Sequence, residues 1–493
     1  MNPTQDTMAL LKAALTGGGD NDITKSITTS TGLVAYDLQA PAKNLYPVFT
    51  PLRNKIPRVA GGKGTATNWK TITSIVGSGF DSQAWIPEGQ RSGVMTYTST
   101  PKAANYVTIG EEDNVTFEAQ NAGKTFEDVR ASMAFRLLQK LMMKEENSIL
   151  GGNASIALGT TGTPVLSVAG TTGTLPPATY SVICVALTQE GYFNTTLAAG
   201  VATSKVVTGA DGATYTIKGG SGNKSAAAAL GVALGQILTC SVAITNGAVA
   251  WAWFVGLAGA EKLEAITTVN SAAFSAPLNG TRQAATAITA DNSNNAGLAY
   301  DGLLTAALLP ANNAYVSKLA TGNTGLTASG NGSIVEIDTM LQTMWDQYQL
   351  SPTAIYCNSQ EIRNITAKVL AQSGGSVLRY NSDSNGGQPF AIVAGGVVQS
   401  YFNPYMPNGG SLIPILIHPK LPPGTLIAYC ESLPVYYQNS EVSNVAEIKT
   451  RQDYYQIDWP MRTRKYEMGV YAEQVLAIYA PFAMGVICNI NNG

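Results

Sequence analysis

Charge is shared unevenly along this chain: between Gly151 and Tyr300, 10 of 150 residues are charged, against 52 of the other 343. A stretch so poor in ionisable groups is the opposite of a solvated, disordered linker, which is rich in charge and poor in apolar residues. It must fold, and the change of composition sets a boundary at each end. Within it, residues 180–187, 213–217 and 249–255 are rich in Val, Ile, Thr, Tyr and Trp and read as strands, with turns at Glu190-Gly191 and Asp211-Gly212. Period-two alternation puts Trp251, Trp253 and Val255 on one face, as a sandwich core needs. Residues 226–238 fit a helix or a buried loop equally well. The pattern predicts an all-β sandwich over 160–295 set into a host of a different kind.

The host is constrained by its surface. A chain of 493 residues exceeds one ordinary core, so two or three domains are expected. With 45% hydrophobic and 13% charged residues, against about a quarter charged in average soluble domains, much of the surface should be covered by other subunits. A net charge of -2 excludes a module that holds nucleic acid by neutralising phosphates. Cys184, Cys240, Cys357, Cys430 and Cys488 are odd in number, widely spaced and without a C-x-x-C pair, so they read as reduced thiols. Residues 1–15 lack the basic start and apolar core of a secretory signal. The longest apolar run, 475–488, is too short to cross a bilayer and contains Pro481, so no membrane span is expected.

Outside the insertion, Met8, Leu11 and Leu15 predict one small helix on an N-terminal arm over 1–58. Two Thr-, Tyr- and Val-rich runs, 65–76 and 94–109, flank Gly77-Ser78-Gly79 and a tip at Trp85-Ile86-Pro87-Glu88-Gly89, which predicts a long two-stranded ribbon within 59–123. Such a ribbon has little apolar face and is marginal alone in water, so it must lie on something. The strongest helix opens at Thr125, with Asp128 as a weak capping-box partner, and carries Met133, Leu137, Leu141 and Met142 to a stop at Gly151-Gly152. About 26 residues at about 1.5 Å each give a spine of about 40 Å over 124–152. The core resumes over 299–352. Ser333 with Glu336 predicts a capped helix through Ile337, Leu341, Met344 and Tyr348, then an extended 353–357, then a second helix capped by Asn358 with Glu361. The remainder, 390–490, reads as short strands broken by Pro and Gly.

No motif carries catalytic chemistry. Gly123-Lys124-Thr125 fails as a phosphate loop because Glu118 stands where its first glycine belongs, and Gly61-Gly62-Lys63-Gly64 lacks the Ser or Thr after its lysine. The single histidine, His418, offers poor material for a hydrolase triad or a multi-histidine metal site and reads as a structural turn residue. Glu111-Glu112-Asp113 reads as a solvated or intersubunit acidic patch. In the extended segment 459–466, alternation sets Arg462 and Arg464 on one face, suited to an interface or to blunting a strand edge. No catalytic residue, metal site or cofactor is expected, and the chain does not read as an enzyme.

The order of elements resembles the major capsid proteins of tailed bacteriophages, the Hong Kong 97 capsid fold. Local sequences that carry the resemblance are Trp85-Ile-Pro-Glu-Gly89, Leu137-Leu-Gln-Lys-Leu-Met-Met-Lys-Glu-Glu146, Ala299-Tyr-Asp-Gly-Leu303, Ile417-His-Pro-Lys-Leu-Pro-Pro-Gly424, Arg451-Gln-Asp-Tyr-Tyr455 and Gly469-Val-Tyr-Ala-Glu473. The resemblance implies an α+β fold with an N-terminal arm, an extended loop overlapping a neighbour, and a spine helix in a peripheral domain. It further implies an axial domain over 353–450 and a return to the peripheral sheet over 451–493. The insertion is similar to immunoglobulin-like or fibronectin-like domains on phage shells.

By the same resemblance the chain is a shell subunit that self-assembles into pentamers and hexamers around packaged double-stranded DNA, without reading its sequence. It would be assembled in a host cytoplasm and end in the virion. A separate scaffolding protein is implied, with a portal and decoration proteins as further partners. Candidate intersubunit contacts are Trp85, Glu88, Arg91, Glu111, Glu112, Arg462 and Arg464. Candidate hinges for shell expansion are Gly61, Gly62, Gly64, Gly77 and Gly79. Some relatives crosslink a ribbon lysine to a neighbour's asparagine; Lys63 and Lys70 stand in the ribbon, but nothing in the sequence identifies their partners. The competing class is a bacterial surface or adhesin-like protein, suggested by the low-charge β insertion.

Overall fold

A computed structural model of the protein describes residues 48–80, 82–124, 128–321, 324–330, 332–372, 397–406, 409–434 and 443–491. The arm helix expected near Met8 and the Thr125 cap lie outside them. The fold is α+β, and its strands divide among separate sheets.

The spine helix, Val129–Gly151, begins later than Thr125 because Asp128 is itself the cap: its carboxylate accepts from the amides of Arg130 and Ala131 at 3.1 and 3.2 Å. Its 23 residues span about 34 Å, shorter than the sequence spacing suggests. Met133, Leu137 and Leu141 fall on one stripe and pack against Val115, Met468 and Val470. Those partners belong to a four-stranded sheet in the order Arg58–Ala60, Ala446–Asp458, Lys465–Ile478, Val107–Thr116. A second, six-stranded sheet runs Tyr315–Lys318, Met484–Cys488, Leu426–Tyr429, Ala354–Cys357, Ser411–Ile417, Ser400–Asn403. The tail expected to return to one sheet therefore divides, with Lys465–Ile478 in the first and Met484–Cys488 in the second. Ala446–Asp458 likewise runs through the boundary expected at 450.

Helix Val335–Tyr348 covers the six-stranded sheet with Ile337, Met340, Leu341 and Met344. The expected capping box does not form: Ser333 donates to Asp338 at 2.6 Å, and Glu336 accepts from the Thr327 amide. Asn358 does cap the helix Ser359–Gln372, accepting from the Gln360 amide at 3.1 Å. Glu361 instead turns into the core, where it accepts from the Gly424 amide at 2.9 Å.

The low-charge segment folds as two facing antiparallel sheets and a separate two-stranded hairpin. One runs Ser271–Phe274, Ile237–Ser241, Val165–Ala169; the other runs Lys262–Thr267, Ala250–Gly256, Ala178–Leu187, Ala228–Val232. Trp251, Trp253 and Val255 meet Leu238, Cys240 and Phe274 between them, as alternation requires. The opposite face of that strand, Ala250, Ala252 and Phe254, is buried too, under Val201, Ala285 and Ile288. Residues 226–238, ambiguous in sequence, supply the strand Ala228–Val232. The expected Glu190-Gly191 turn is a short helix, Gln189–Asn194, because the Thr188 hydroxyl accepts from the Gly191 amide at 3.1 Å. The Asp211-Gly212 turn joins the exposed hairpin Ser204–Thr208 and Thr214–Lys218.

Chain entry and exit of this segment lie side by side. The Gly302 amide donates to Gly152 at 2.8 Å, the Asn295 amide to Asn153 at 2.9 Å, and Asp301 accepts from Ala154 and Ser155. Farther out, Asn270 and Asn489 exchange two bonds, amide to Oδ1 at 2.8 Å and Nδ2 to Oδ1 at 2.9 Å, both residues buried. One apolar cluster runs from Trp253 through Leu150 to Tyr429 and Val475, so insertion and host share a core.

Two outcomes follow from this packing. A Cβ at Gly302 stands 2.7 Å from the backbone carbonyl of Leu150, so Gly302→Ala should lower unfolding free energy by about 1–3 kcal/mol in a denaturant titration. Burial pushes the Glu190 carboxyl up to about 7 from 4.5, so its stabilising contribution is whole below pH 4.5 and is lost as pH rises to about 7. Glu190→Gln should therefore melt higher than wild type at about pH 8 and alongside it at about pH 4; an equal difference at both contradicts the assignment.

Candidate functional site

Two features of the host stand out: a buried ionic anchor beneath the four-stranded sheet, and the ribbon that leaves from it. Glu145 and Glu146, consecutive on the last turns of the spine, are 0% and 1% exposed. A carboxylate out of water needs full pairing, and each has it. Glu145 accepts from Arg53 Nε at 2.9 Å, from Arg58 Nη1 at 2.5 Å and from the Tyr454 hydroxyl. The two guanidinium groups lie over the Tyr454 ring at 5.1 and 4.9 Å. Arg58 also binds Asp453 at 2.5 Å and Gln474 at 3.0 Å. Burial works against the Arg58 charge, but Asp453 and Glu145 outweigh it and hold the guanidinium above its ordinary pKa.

Glu146 accepts from the amides of Leu52 and Arg53 at 3.0 and 2.8 Å and from His418 Nε2 at 2.6 Å. His418 Nδ1 accepts from the Lys420 amide at 3.2 Å, so the ring hydrogen sits on Nε2 and points at Glu146. Both nitrogens are occupied and the ring is 0% exposed, which leaves His418 structural and closed to any substrate. Burial pushes the thiols of Cys240 and Cys357 up to about 12, and those of Cys430 and Cys488 to about 11, which favours the neutral thiol over the thiolate.

The ribbon is the strand pair Ala66–Val76 and Thr96–Asn105. Its base is stitched to the anchor sheet: the Gly62 amide donates to Thr450 at 3.0 Å, Arg451 donates to the Gly64 carbonyl at 2.9 Å, and Trp69 stands edge to face with Tyr479. Of the candidate hinges, Gly61 and Gly64 have positive φ, 92° and 70°, which favours glycine. Gly62 is pinned under Tyr106, where a Cβ has no room. Gly79 is open on all sides, and Gly77 follows the first ribbon strand. Beyond the base, Ile72, Ile75, Phe80, Trp85, Val94 and Met95 are all exposed, Trp85 and Val94 to 89%. Burial of each such side chain is worth about 1.5–3 kcal/mol, and so many large apolar side chains exposed along one element suit an interaction surface.

The other candidate contacts separate. Glu88 and Arg91 are exposed with Trp85 at the ribbon end. Glu111 and Glu112 lie in the strand Val107–Thr116, where Glu111 pairs with Lys144 of the spine and Glu112 accepts from the Tyr471 hydroxyl. Both acids thus have partners within the chain. Arg462 and Arg464 sit in the turn between Ala446–Asp458 and Lys465–Ile478, not in a strand, so alternation does not govern them. Arg464 pairs with Glu118 at 2.6 Å, and both are largely exposed. Gly123 ends the helix Phe117–Gly123 instead of opening a phosphate loop. Sequence reading missed Glu145 and Glu146; their one signal was two adjacent acids on the stretch that ends the apolar stripe.

No family model matches the chain, and no curated protein matches it. Solved structures do. The capsid of a native GTA particle is 10% identical, covering 94% of this chain and 99% of its own at a TM-score of 0.43. A structure of Mycobacterium phage Bobi is 10% identical, with coverage of 95% and 99% and a TM-score of 0.41. The holo-SrpI encapsulin complex from Synechococcus elongatus is 7% identical, with coverage of 92% and 92% and a TM-score of 0.40. Likeness of this degree assigns no function to the chain.

The anchor has a measurable weight. Glu145→Gln leaves two part-buried guanidinium groups with one anion fewer, Arg58 keeping Asp453, and should cost about 1.5–3 kcal/mol in urea unfolding. Glu111→Gln breaks a pair in which Lys144 is 53% exposed, and should cost about 1 kcal/mol or less.

Proposed function

We propose that this chain is the major capsid protein of a tailed bacteriophage, assembling through pentamers and hexamers into the icosahedral shell that encloses double-stranded DNA. The observation that carries this is the ribbon: a two-stranded extension whose outer part has no buried residue among those described and presents Phe80, Trp85, Val94 and Met95 to solvent. A hairpin of this kind gains its stability from a surface outside its own chain. A head-to-tail contact that closes into rings of five and six uses such an extension on every subunit and yields a finite shell.

Other features agree with the reading. The spine, the ribbon and the two host sheets follow the order that the Hong Kong 97 capsid fold requires. In this reading 59–123 is the overlapping loop with the start of the peripheral domain, 124–152 and 299–352 belong to that domain, and 353–450 is the axial domain. The segment 160–295 is a guest module on the outer surface, and 451–493 is shared between the two sheets. With a net charge of -2, the inner face confines DNA without binding it specifically. Scaffolding, portal and decoration proteins are the partners such a shell takes, and the virion is its destination. The role is structural, without catalysis.

Negative-stain microscopy of the purified chain, alone and co-expressed with a scaffolding protein, should show shells, rings of five or six, or tubes. A dispersed monomer under every condition overturns the proposal. Replacing Phe80, Val94 and Met95 by Thr should leave the melting temperature nearly unchanged, because these exposed side chains stabilise little in the monomer, while particle yield collapses.

A further inference from the structure

At the root of the ribbon the face that carries Trp69, Thr71, Thr100 and Lys102 overhangs a cleft of about 670 Å³. Its far wall is aromatic, formed by Tyr348, Tyr479 and Phe482. Two donors in it lack a matching anion. The Trp69 indole N–H is buried with no hydrogen-bond partner among the described residues. The Lys102 ammonium donates to the neutral Asn312 amide oxygen at 3.2 Å and meets no carboxylate among the described residues. Asp301, the only acid lining the cleft among the described residues, is turned to the amides of Ala154 and Ser155. An orphaned buried donor costs about 1–3 kcal/mol, so the cleft is built for an occupant that brings an acceptor and apolar bulk.

The tip of the ribbon is the complementary object. Trp85 is 89% and Ile86 51% exposed, and the exposed Glu88 follows Pro87 directly. The cleft lining reaches Ile72, and the strand Ala66–Val76 runs on for four residues, about 13 Å; with Trp85 and Ile86 exposed, the tip does not fill the cleft of its own chain. We infer that the cleft receives the ribbon tip of a second copy of this chain, Trp85 and Ile86 packing on the aromatic wall and Glu88 pairing with Lys102. This rests on the shell reading above and specifies its contact. Knob and hole lie at opposite ends of one element, so the contact is head to tail and leaves each copy with a free knob and a free hole until a ring closes. Apolar anchor and desolvated ion pair together resemble the hot spots that dominate other interfaces.

The test uses the full chain under conditions where wild type forms particles. A photo-crosslinking amino acid at position 85 should label a second copy within the peptides that carry Trp69, Tyr348 or Tyr479. Glu88→Lys and Lys102→Glu should each lower particle yield by about tenfold or more, and the double variant should recover most of it. Particles that crosslink from position 85 to other peptides overturn the inference and leave the shell reading standing, as does a folded double variant with no recovery. Should Lys102→Glu fail to fold, Glu88→Lys on the exposed tip together with the crosslink decides alone. Absence of any particle from wild type overturns both.

Discussion

Two adjacent carboxylates without access to water, Glu145 and Glu146, set the conditions that the rest of the host satisfies. A buried anion left unpaired is far costlier than any single apolar contact is favourable, so everything that can pay that cost is drawn to one point. Arg53 and Arg58 come from the segment before the ribbon, Tyr454 and Asp453 from the long strand near the end of the chain, and His418 from the turn after the strand Ser411–Ile417. Three regions, one of them more than 350 residues from the other two, are thereby fixed against the end of the spine. The first ribbon strand starts eight residues past Arg58, after a stretch in which Thr450 and Arg451 hold Gly62 and Gly64, so the ribbon leaves directly from the anchor.

The low-charge insertion looks in sequence like an independent guest, and its strands and tryptophan face agree with that. Its attachment does not. Entry and exit segments bond to each other across Gly152 and Gly302, the Asn270–Asn489 exchange ties its far side to the C-terminal strand region, and Gln189 donates to both Asn147 and the Lys420 carbonyl. The buried cluster crosses the boundary without a gap. A module fastened at several points to the spine and to the six-stranded sheet, and sharing their buried core, is packed as one body with its host.

The ribbon makes the opposite bargain. Its strands were legible because Thr-, Tyr- and Val-rich runs around Gly77-Ser78-Gly79 have one simple solution. The spine was legible through Met133, Leu137 and Leu141, and the sandwich face through Trp251 and Trp253, since period and burial agree. Its start was misplaced because Thr125 and Asp128 are both competent caps, and only the fold shows that Asp128 holds the first amides. The Ser333 and Glu336 box failed for a related reason: Thr327 and Asp338 offered those side chains partners that local spacing does not reveal.

By itself, then, the sequence determined the local elements, the compositional seam around the insertion, and the presence of a ribbon that its own chain cannot bury. These follow from periodicity and backbone preference, which act over a few residues. Tertiary structure alone decided that Glu145 and Glu146 are interior, that Glu111 and Glu112 face partners on their own chain, that Met484–Cys488 leaves the sheet its neighbours join, and that insertion and host share a core. Each depends on groups distant along the chain, and a charged or apolar residue carries no local mark of the partner that will compensate it.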